Sequence, residues 1–511
     1  MIRRALLSCH DKSGLDGFAK ELVSLGVELV ASGGTAEFLK SYALPVVSVE
    51  QFAGIKEQLD GRVKTLHPKI HAGILARRDD TQHVKSVGQD GLIDLVVVNL
   101  YPFEATIKQT GVSLAEAIEQ IDIGGVALLR AAAKNFSGVA VISKPDQYTE
   151  VAAALKANRE LSAVLRQRLA VEAFALTSGY DSLIAGFLSG QVAVAGDPFA
   201  DTVSRTLHKR QVLRYGENPH QPGAWYVPGG AAWGLGTLTQ LQGKELSYNN
   251  LMDMDAAIRC VADFEEPACV IIKHNSQCGL ASGADSSEAY ERAYACDAES
   301  AFGGIVGFNR PIDAKAAEKL TATFLEVILA PQITQEALAI FKKKQNLRVA
   351  SITWPIQAPA ELQWRQLLGS WILQASDSAA EPPKNFRLAT KRPPSTQEME
   401  DLLFAWKAAK HVKSNGVVLA KNKTTVGIGQ GQPSRVGSVK LAIEKAGSGS
   451  HHCVAASDGF FPFADSINWL AKAGVTAIIQ PGGSIRDAEV IAAADAAGLA
   501  MLITGIRHFR H

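Results

Sequence analysis

Short apolar runs along this chain alternate with longer segments whose apolar positions fall on one helical face, and the two patterns predict strands and helices respectively. Residues 5–8 form the first run, and the next segment puts Leu15, Phe18, Ala19, Leu22 and Leu25 on one face. Residues 27–30 and 95–98 are further runs, and the alternation continues to about Ile142. That order predicts a mainly parallel sheet flanked by helices. From about Gly190 to Thr206 the pattern dissolves into small residues with a Gly-Asp-Pro, which predicts a domain boundary. The expected units are residues 1–198 and 199–511.

The second unit reads as a further α/β region. Residues 246–253 are polar and precede a helix with Ala256, Ala257 and Val261 inward, and residues 270–272 form a buried strand. A polar stretch, 275–279, ends in glycine and predicts a turn. Residues 374–394 are rich in proline and charge and predict a linker between two subdomains. A capping box of Ser395 and Glu398 opens a helix with Leu402, Ala405, Trp406 and Ala409 on one face, which is expected to stop at residues 413–416. A hairpin of 417–420 with 425–428 follows, and a strand–glycine–helix unit recurs around residues 477–485. No internal sequence repeat is visible.

Composition removes several function classes. The chain has 511 residues, 47% hydrophobic and 20% charged, with a formal net charge of +1. Such a balance provides no electrostatic footprint for nucleic acid or an anionic membrane. No apolar run approaches the roughly 18 residues of a membrane span. The start, MIRRALLSCHDKSG, turns polar too early for a secretory signal. Six scattered cysteines include no CxxC pair, and no His/Cys spacing resembles a zinc site. Reduced thiols, a cytoplasmic setting and no metal are expected.

Candidate chemistry concentrates at strand ends. Ser32-Gly33-Gly34-Thr35 stands between a strand and a helix, where bare N–H groups hold a phosphate or where Thr35 simply caps the helix. Residues 60–71 mix cations, imidazoles and a proline, so they are a loop, either solvated or wrapped on an anion. Tyr101 lies just past a strand end, in the usual ligand crevice of an α/β fold. Asp122-Ile123-Gly124-Gly125 opens a helix carrying Lys134 on its last turn, where a lysine also complements the helix dipole. Arg214 and Tyr215 precede a Gly and an Asn-Pro, which makes either a held guanidinium or an ordinary salt-bridged turn. Arg435 follows a glycine loop lacking both the dinucleotide and the Walker signatures, and suits one small anion. Lys273 and His274 end a buried strand side by side. The pair suits proton transfer at neutral pH if the strand has begun to turn, or is an edge lysine beside a loop histidine.

SGGT, DGRVKTLHP, NLYPFE and QIDIGGVALLRAAAKN, in that order, resemble the inosine monophosphate (IMP) cyclohydrolase domain of the bifunctional purine biosynthesis family. The resemblance implies a methylglyoxal-synthase-like parallel-sheet domain that closes the purine ring of 5-formamidoimidazole-4-carboxamide ribonucleotide (FAICAR) with loss of water. It implies substrate binding by Ser8, Ser32, Gly33, Gly34, Thr35, Arg62, Thr65, Gly124 and Gly125. It also implies that Lys64, Tyr101, Asp122 and Lys134 surround the closing ring. His10 stands where the family commonly has a small residue.

RYGENPHQ, LSYNNLMDMDAA, KHNSQCG, ESAFGGIVGFNRP, KSNGVVLAKN, SDGFFPF, IIQPGGSIRD and TGIRHFRH resemble the family's other half, the phosphoribosylaminoimidazolecarboxamide formyltransferase. That likeness implies two cytidine-deaminase-like α/β subdomains without zinc, and formyl transfer from 10-formyltetrahydrofolate to 5-aminoimidazole-4-carboxamide ribonucleotide (AICAR). It implicates Lys273, His274 and Asn415 in the transfer, and Arg214, Tyr215, Phe302, Arg435 and Arg507 in substrate anchoring. Purine nucleotide intermediates and reduced folate are the implied partners, in a homodimer with formyltransferase sites formed between subunits. Gln277 replaces the family's usual proline, and Gln430 and Pro433 also depart from its pattern. The competing readings are a protein with only the cyclohydrolase half active and a nucleotide sensor without turnover.

Overall fold

The first apolar run becomes strand β1 (Arg4–Cys9), the central strand of a parallel sheet in the computed structural model of the protein. The structure describes residues 1–54, 56–191, 199–354, 362–378 and 383–511. These divide into two units, Met1–Thr206 and Leu207–His511. In the first, β1 is joined by β2 (Glu28–Ala31), β3 (Val46–Ser48), β4 (Leu95–Asn99) and β5 (Ala140–Ile142). Their order is β3-β2-β1-β4-β5, with every pairing parallel. Ala5, Leu6, Leu7, Leu95 and Val96 are fully buried, as a sheet covered by helices on both faces requires.

All five strands run the same way, so the loops that leave their C-terminal ends share one edge of the sheet. Ser8, Ser32, Asn99 and Tyr101 are at that edge. The helix Gly33–Ser41 starts from Ser32 as its N-cap. Thr35, a cap on one of the two readings of this turn, lies inside the first helical turn, and its hydroxyl donates to Cys9 O at 3.1 Å. The expected boundary between residues 198 and 199 adjoins residues 192–198, which lie outside the described residues.

The second unit begins with the hairpin β6 (Leu207–Leu213) and β7 (Gly223–Pro228) and the short β8 (Thr239–Gln242). A first α/β series then runs through the helix Tyr248–Ala262, β9 (Ala268–Lys273), β10 (Ser276–Ser282), the helix Ser286–Cys296, β11 (Ile305–Phe308), β12 (Val327–Ala330) and β13 (Arg348–Ser351). After β14 (Leu362–Leu367), β15 (Ser370–Ala375) and β16 (Arg387–Leu388) comes a second series. It consists of the helix Thr396–Ala409, β17 (Val417–Lys421), β18 (Thr424–Gly429), the helix Arg435–Ala446, β19 (Val454–Ser457), β20 (Ala477–Gln480) and β21 (Ala500–Ile503).

Among the described residues the two series make one sheet, ordered β16-β21-β20-β19-β17-β18-β10-β9-β11-β12-β13-β8. Read outward from the central β10–β18 pairing, each half has two antiparallel pairings and then two parallel ones. The unit is therefore an internal repeat of topology, although its sequence shows none to inspection. Gly279 and Gly427 occupy equivalent places. A Cβ on the first would overlap Ala293 O and on the second Ala442 O, so both strands lie directly against the following helix.

Several expectations about elements need correction. Residues 68–71, expected in a loop, open the helix Pro68–Leu75, with Pro at its first position. The turn after β9 consists of His274 and Asn275 alone, and residues 276–279 belong to β10, because Gln277 and Gly279 pair with Ile272 and Ile271. The helix expected after Asp253 starts at Tyr248, because Ser247 and Asn250 close a capping box, and so Asp253 is a helical residue. Parts of the expected linker 374–394 are ordered: β15 pairs with β14, and β16 adds an edge strand against β21. Residues 379–382 of that stretch lie outside the described residues.

Candidate functional sites

The first site forms where two glycine pairs open helices at the C-terminal edge of the parallel sheet. The loop carrying Lys64 and Thr65 reaches both. Lys64 Nζ lies 3.5 Å from where a Cβ on Gly33 would be, and Thr65 Oγ1 2.7 Å from the same point on Gly124. Glycine at both positions lets a cation and a hydroxyl approach the backbone N–H groups of a helix start, a combination that holds phosphate. Ser8 Oγ and Ser32 Oγ are 2.8 Å apart beside them. Thr35 accepts from Cys9 N and donates to Cys9 O, so its hydroxyl fixes the loop. Arg62 is paired with Glu119 on the surface.

Asp122 accepts from Gly125 N at 2.7 Å, and its own N–H donates to Tyr180 Oη at 2.8 Å. Burial raises its carboxyl above the usual range, against the opposing pull of the Gly125 and Tyr101 backbone and of His10. The His10 ring meets Tyr101 edge-on at 5.5 Å, so His10 belongs to this group. Lys134 does not. It ends the helix that Gly124 begins, ten residues on, which is about 15 Å of helix. Asn99, not singled out in the sequence, fastens the loop after β1: its Oδ1 accepts from His10 N at 2.6 Å and Asp11 N at 2.8 Å. A polar residue closing an apolar strand is the signal that marks it.

The second site lies along one edge of the large sheet. Lys273 Nζ donates to Phe302 O at 2.8 Å, and the Phe302 ring, more than half exposed, leans on Phe324. His274 is exposed at the adjoining turn. Arg214 stacks over Tyr215 and donates to its hydroxyl at 2.6 Å. Asn249, near the start of the helix that carries Asp253, reaches Glu217 O in that arginine's loop at 3.3 Å. Arg214, Tyr215, Lys273, His274 and Phe302 are thus connected through one helix and one turn.

Asn415 belongs to a neighbouring group. Its Nδ2 donates to Gln432 O at 2.9 Å and its carbonyl accepts from Ser438 Oγ at 2.6 Å. It borders a cavity of about 370 Å³ that Pro433, Phe460, Phe463 and Phe509 also line. Arg507 stacks on Phe509. Arg435, expected as an open anion anchor, is buried against Asp458 and donates to Gly416 O, so its charge is already matched. Neither Lys273 nor His274 lines this cavity. The two groups share one sheet edge, since β9 and β17 are separated only by β10 and β18, about 14 Å at the usual strand spacing. Gln430 Nε2 donates to Gln277 O at 3.0 Å and links them. Gln277 itself is buried and donates to Ala408 O at 3.3 Å, so it braces the strand after the turn.

This arrangement offers a phosphate cradle beside a protonable carboxyl in one unit. In the other it offers a lysine and a histidine beside an aromatic platform, and a separate cavity lined in part by aromatic rings farther along the same sheet edge. Residues 132–445 match the family described as "AICARFT/IMPCHase bienzyme", and residues 14–127 match the "MGS-like domain". The bifunctional purine biosynthesis protein PurH of Desulfitobacterium hafniense (strain DSM 10664 / DCB-2) is 50% identical over all of both chains. That of Nostoc punctiforme is 49% identical, and that of Synechocystis sp. (strain ATCC 27184 / PCC 6803 / Kazusa) 48%, again over the whole of each chain. A parallel-sheet unit with a glycine-lined anion cradle, a duplicated unit with a Lys-His turn, and full-length identity near one half make this chain a member of the AICARFT/IMPCHase bienzyme family, the two-activity enzymes of purine biosynthesis.

Proposed function

We propose that residues 1–198 close the ring of FAICAR to IMP, and that residues 199–511 transfer the formyl group of 10-formyltetrahydrofolate to AICAR. The single observation that carries the transfer is the placing of Lys273 and His274 at one turn beside Phe302. The AICAR amine is a weak nucleophile because its lone pair is delocalised into the ring and the carboxamide. It must lose a proton as its bond to the formyl carbon forms, and the folate nitrogen must gain one as it leaves. Lys273 and His274 serve these transfers, Asn415 orients the reacting groups, and Phe302, Arg214, Tyr215 and Arg507 bind substrate. The cavity beside Asn415, lined by aromatic rings, suits the flat pterin of the folate. The bracing of Gln277 supports an active formyltransferase half.

In ring closure the carboxamide nitrogen attacks the formyl carbon and water departs. Lys64 and the N–H groups of Gly33, Gly34 and Gly124 bind substrate and developing negative charge, with Ser8, Ser32, Arg62, Thr65 and Gly125 around them. Asp122 and Tyr101 move protons, and the raised Asp122 carboxyl suits that task. Lys134 lies at the far end of its helix, so it has no part in ring closure here; the assembly we propose is a homodimer with formyl-transfer sites between subunits. The setting we propose is the cytoplasm.

The test supplies AICAR and formyl-folate and follows IMP. His274→Ala lowers formyl transfer by about 10²–10⁴-fold, the usual worth of a positioned acid or base, while added FAICAR still cyclises. Lys64→Ala does the reverse, slowing cyclisation and leaving formyl transfer measurable. Normal formyl transfer by His274→Ala overturns the assignment.

A further inference from the structure

The turn that presents Lys273 and His274 contains no glycine, yet both of its central residues are in the left-handed region, His274 at φ +54° and Asn275 at φ +56°. Residues with side chains rarely adopt that conformation unless their surroundings hold them there. A straight strand would send adjacent side chains to opposite faces, so this turn is what brings a lysine and a histidine to one edge. One side chain receives both of its central N–H groups. Asp253 accepts from Asn275 N at 2.6 Å through Oδ1 and from His274 N at 3.3 Å through Oδ2. It does so from within the helix Tyr248–Ala262, whose start is fixed by the Ser247–Asn250 capping box.

The repeat contains a second copy of this device. Asp401, in the helix Thr396–Ala409, accepts from Lys423 N at 2.7 Å and Asn422 N at 2.9 Å. Asn422 and Lys423 are left-handed as well, at φ +51° and +54°. Ser247, Asp253 and Lys273 correspond to Ser395, Asp401 and Lys421 at one constant offset along the chain. The second turn carries no imidazole: Asn422 stands where the first has His274, and Lys423 of that turn is paired with Glu266 at 2.7 Å. The clamp therefore belongs to the fold, and a lysine–histidine pair stands on only one of its two copies.

We propose that Asp253 is a positioning residue for formyl transfer, its carboxylate holding the His274–Asn275 turn so that the imidazole and the Lys273 ammonium face the same substrate. The proposal rests on the formyl-transfer reading above and extends it to a residue outside the reacting groups. Asp401 supplies an internal control with the same structural duty and no chemistry.

The experiment compares Asp253→Asn with Asp401→Asn in the full chain. An amide accepts through one oxygen only, so each variant leaves one turn N–H unpaired, and both should unfold at similarly reduced denaturant midpoints. Asp253→Asn should lower kcat for formyl transfer by about 10–100-fold, the cost of a misplacement near 1 Å, with a smaller change in KM for AICAR. Cyclisation of added FAICAR should be unchanged. Asp401→Asn should leave formyl transfer within about twofold, as distant structural changes do. The double variant Asp253→Asn/Asn275→Gly should regain part of the lost kcat, because glycine adopts a positive φ freely. It also carries the test if the single variant does not fold. Wild-type kcat in Asp253→Asn, or an equal loss in Asp401→Asn, overturns the clamp alone. Unimpaired transfer by His274→Ala overturns the underlying reading instead.

Discussion

Arg435 and Asp458 face each other with 4% and 0% of their side chains exposed. Asp458 also accepts from Ser414 Oγ at 2.5 Å, and Arg435 donates to Gly416 O at 3.0 Å, so the pair fixes the loop on either side of Asn415. A charge buried without its partner is costly, and Asp458→Asn should destabilise the protein by about 3–5 kcal/mol. Urea unfolding checks this, and an unchanged midpoint would contradict it. From the sequence, a cation at a helix start reads as an anion site, because residue 458 comes much later in the chain and nothing local points to it. His10 is the opposite case: its neighbours give it no role, yet the fold sets it against Tyr101 and near Asp122.

The helix Thr396–Ala409 shows how far an element can be read from its own residues. Its Ser395–Glu398 capping box forms as expected, with Ser395 N donating to Glu398 at 2.7 Å and Glu398 N to Ser395 Oγ at 3.2 Å. Leu402, Ala405, Trp406 and Ala409 are buried, as their spacing requires. The helix ends at Ala409, short of the expected 413–416. The sequence does not reveal that Glu398 also receives two bonds from Arg392, at 2.9 Å each. Burial would raise its carboxyl, but Arg392 and the Ser395 N–H outweigh that and hold it down at about 2. A folded-state value below the unfolded one stabilises the protein above the unfolded value of 4.5, and this contribution is lost as pH falls towards about 2. Glu398→Gln keeps a capping side chain and removes the charge. It should cost about 1.5–3 kcal/mol near neutral pH, with the gap to wild type closing between about pH 4.5 and 2. Denaturation across that range checks it, and a constant gap would rule out Arg392 as the cause. The helix start at Tyr248 is hidden in the sequence because its capping box uses Asn250 in place of glutamate or glutamine.

Over the whole molecule, the repeat makes a joint prediction. Gly279→Ala and Gly427→Ala meet equivalent helix carbonyls and should each destabilise the second unit by about 1–3 kcal/mol or more, as overpacking against backbone does. Denaturant unfolding of both variants checks this, and tolerance at either position would break the equivalence. The chain's own order of apolar runs, helical faces and glycine turns determined the α/β class, the strands and the motifs that mark the family, since each depends on neighbours a few residues apart. The reach of Lys64 to Gly33, the burial of Arg435, the distance of Lys134 from Gly124, and the union of two series into one sheet were settled only by tertiary structure. Each of these depends on residues that the sequence keeps far apart. Hydrophobic burial, which has no direction along the chain, decides which of them meet.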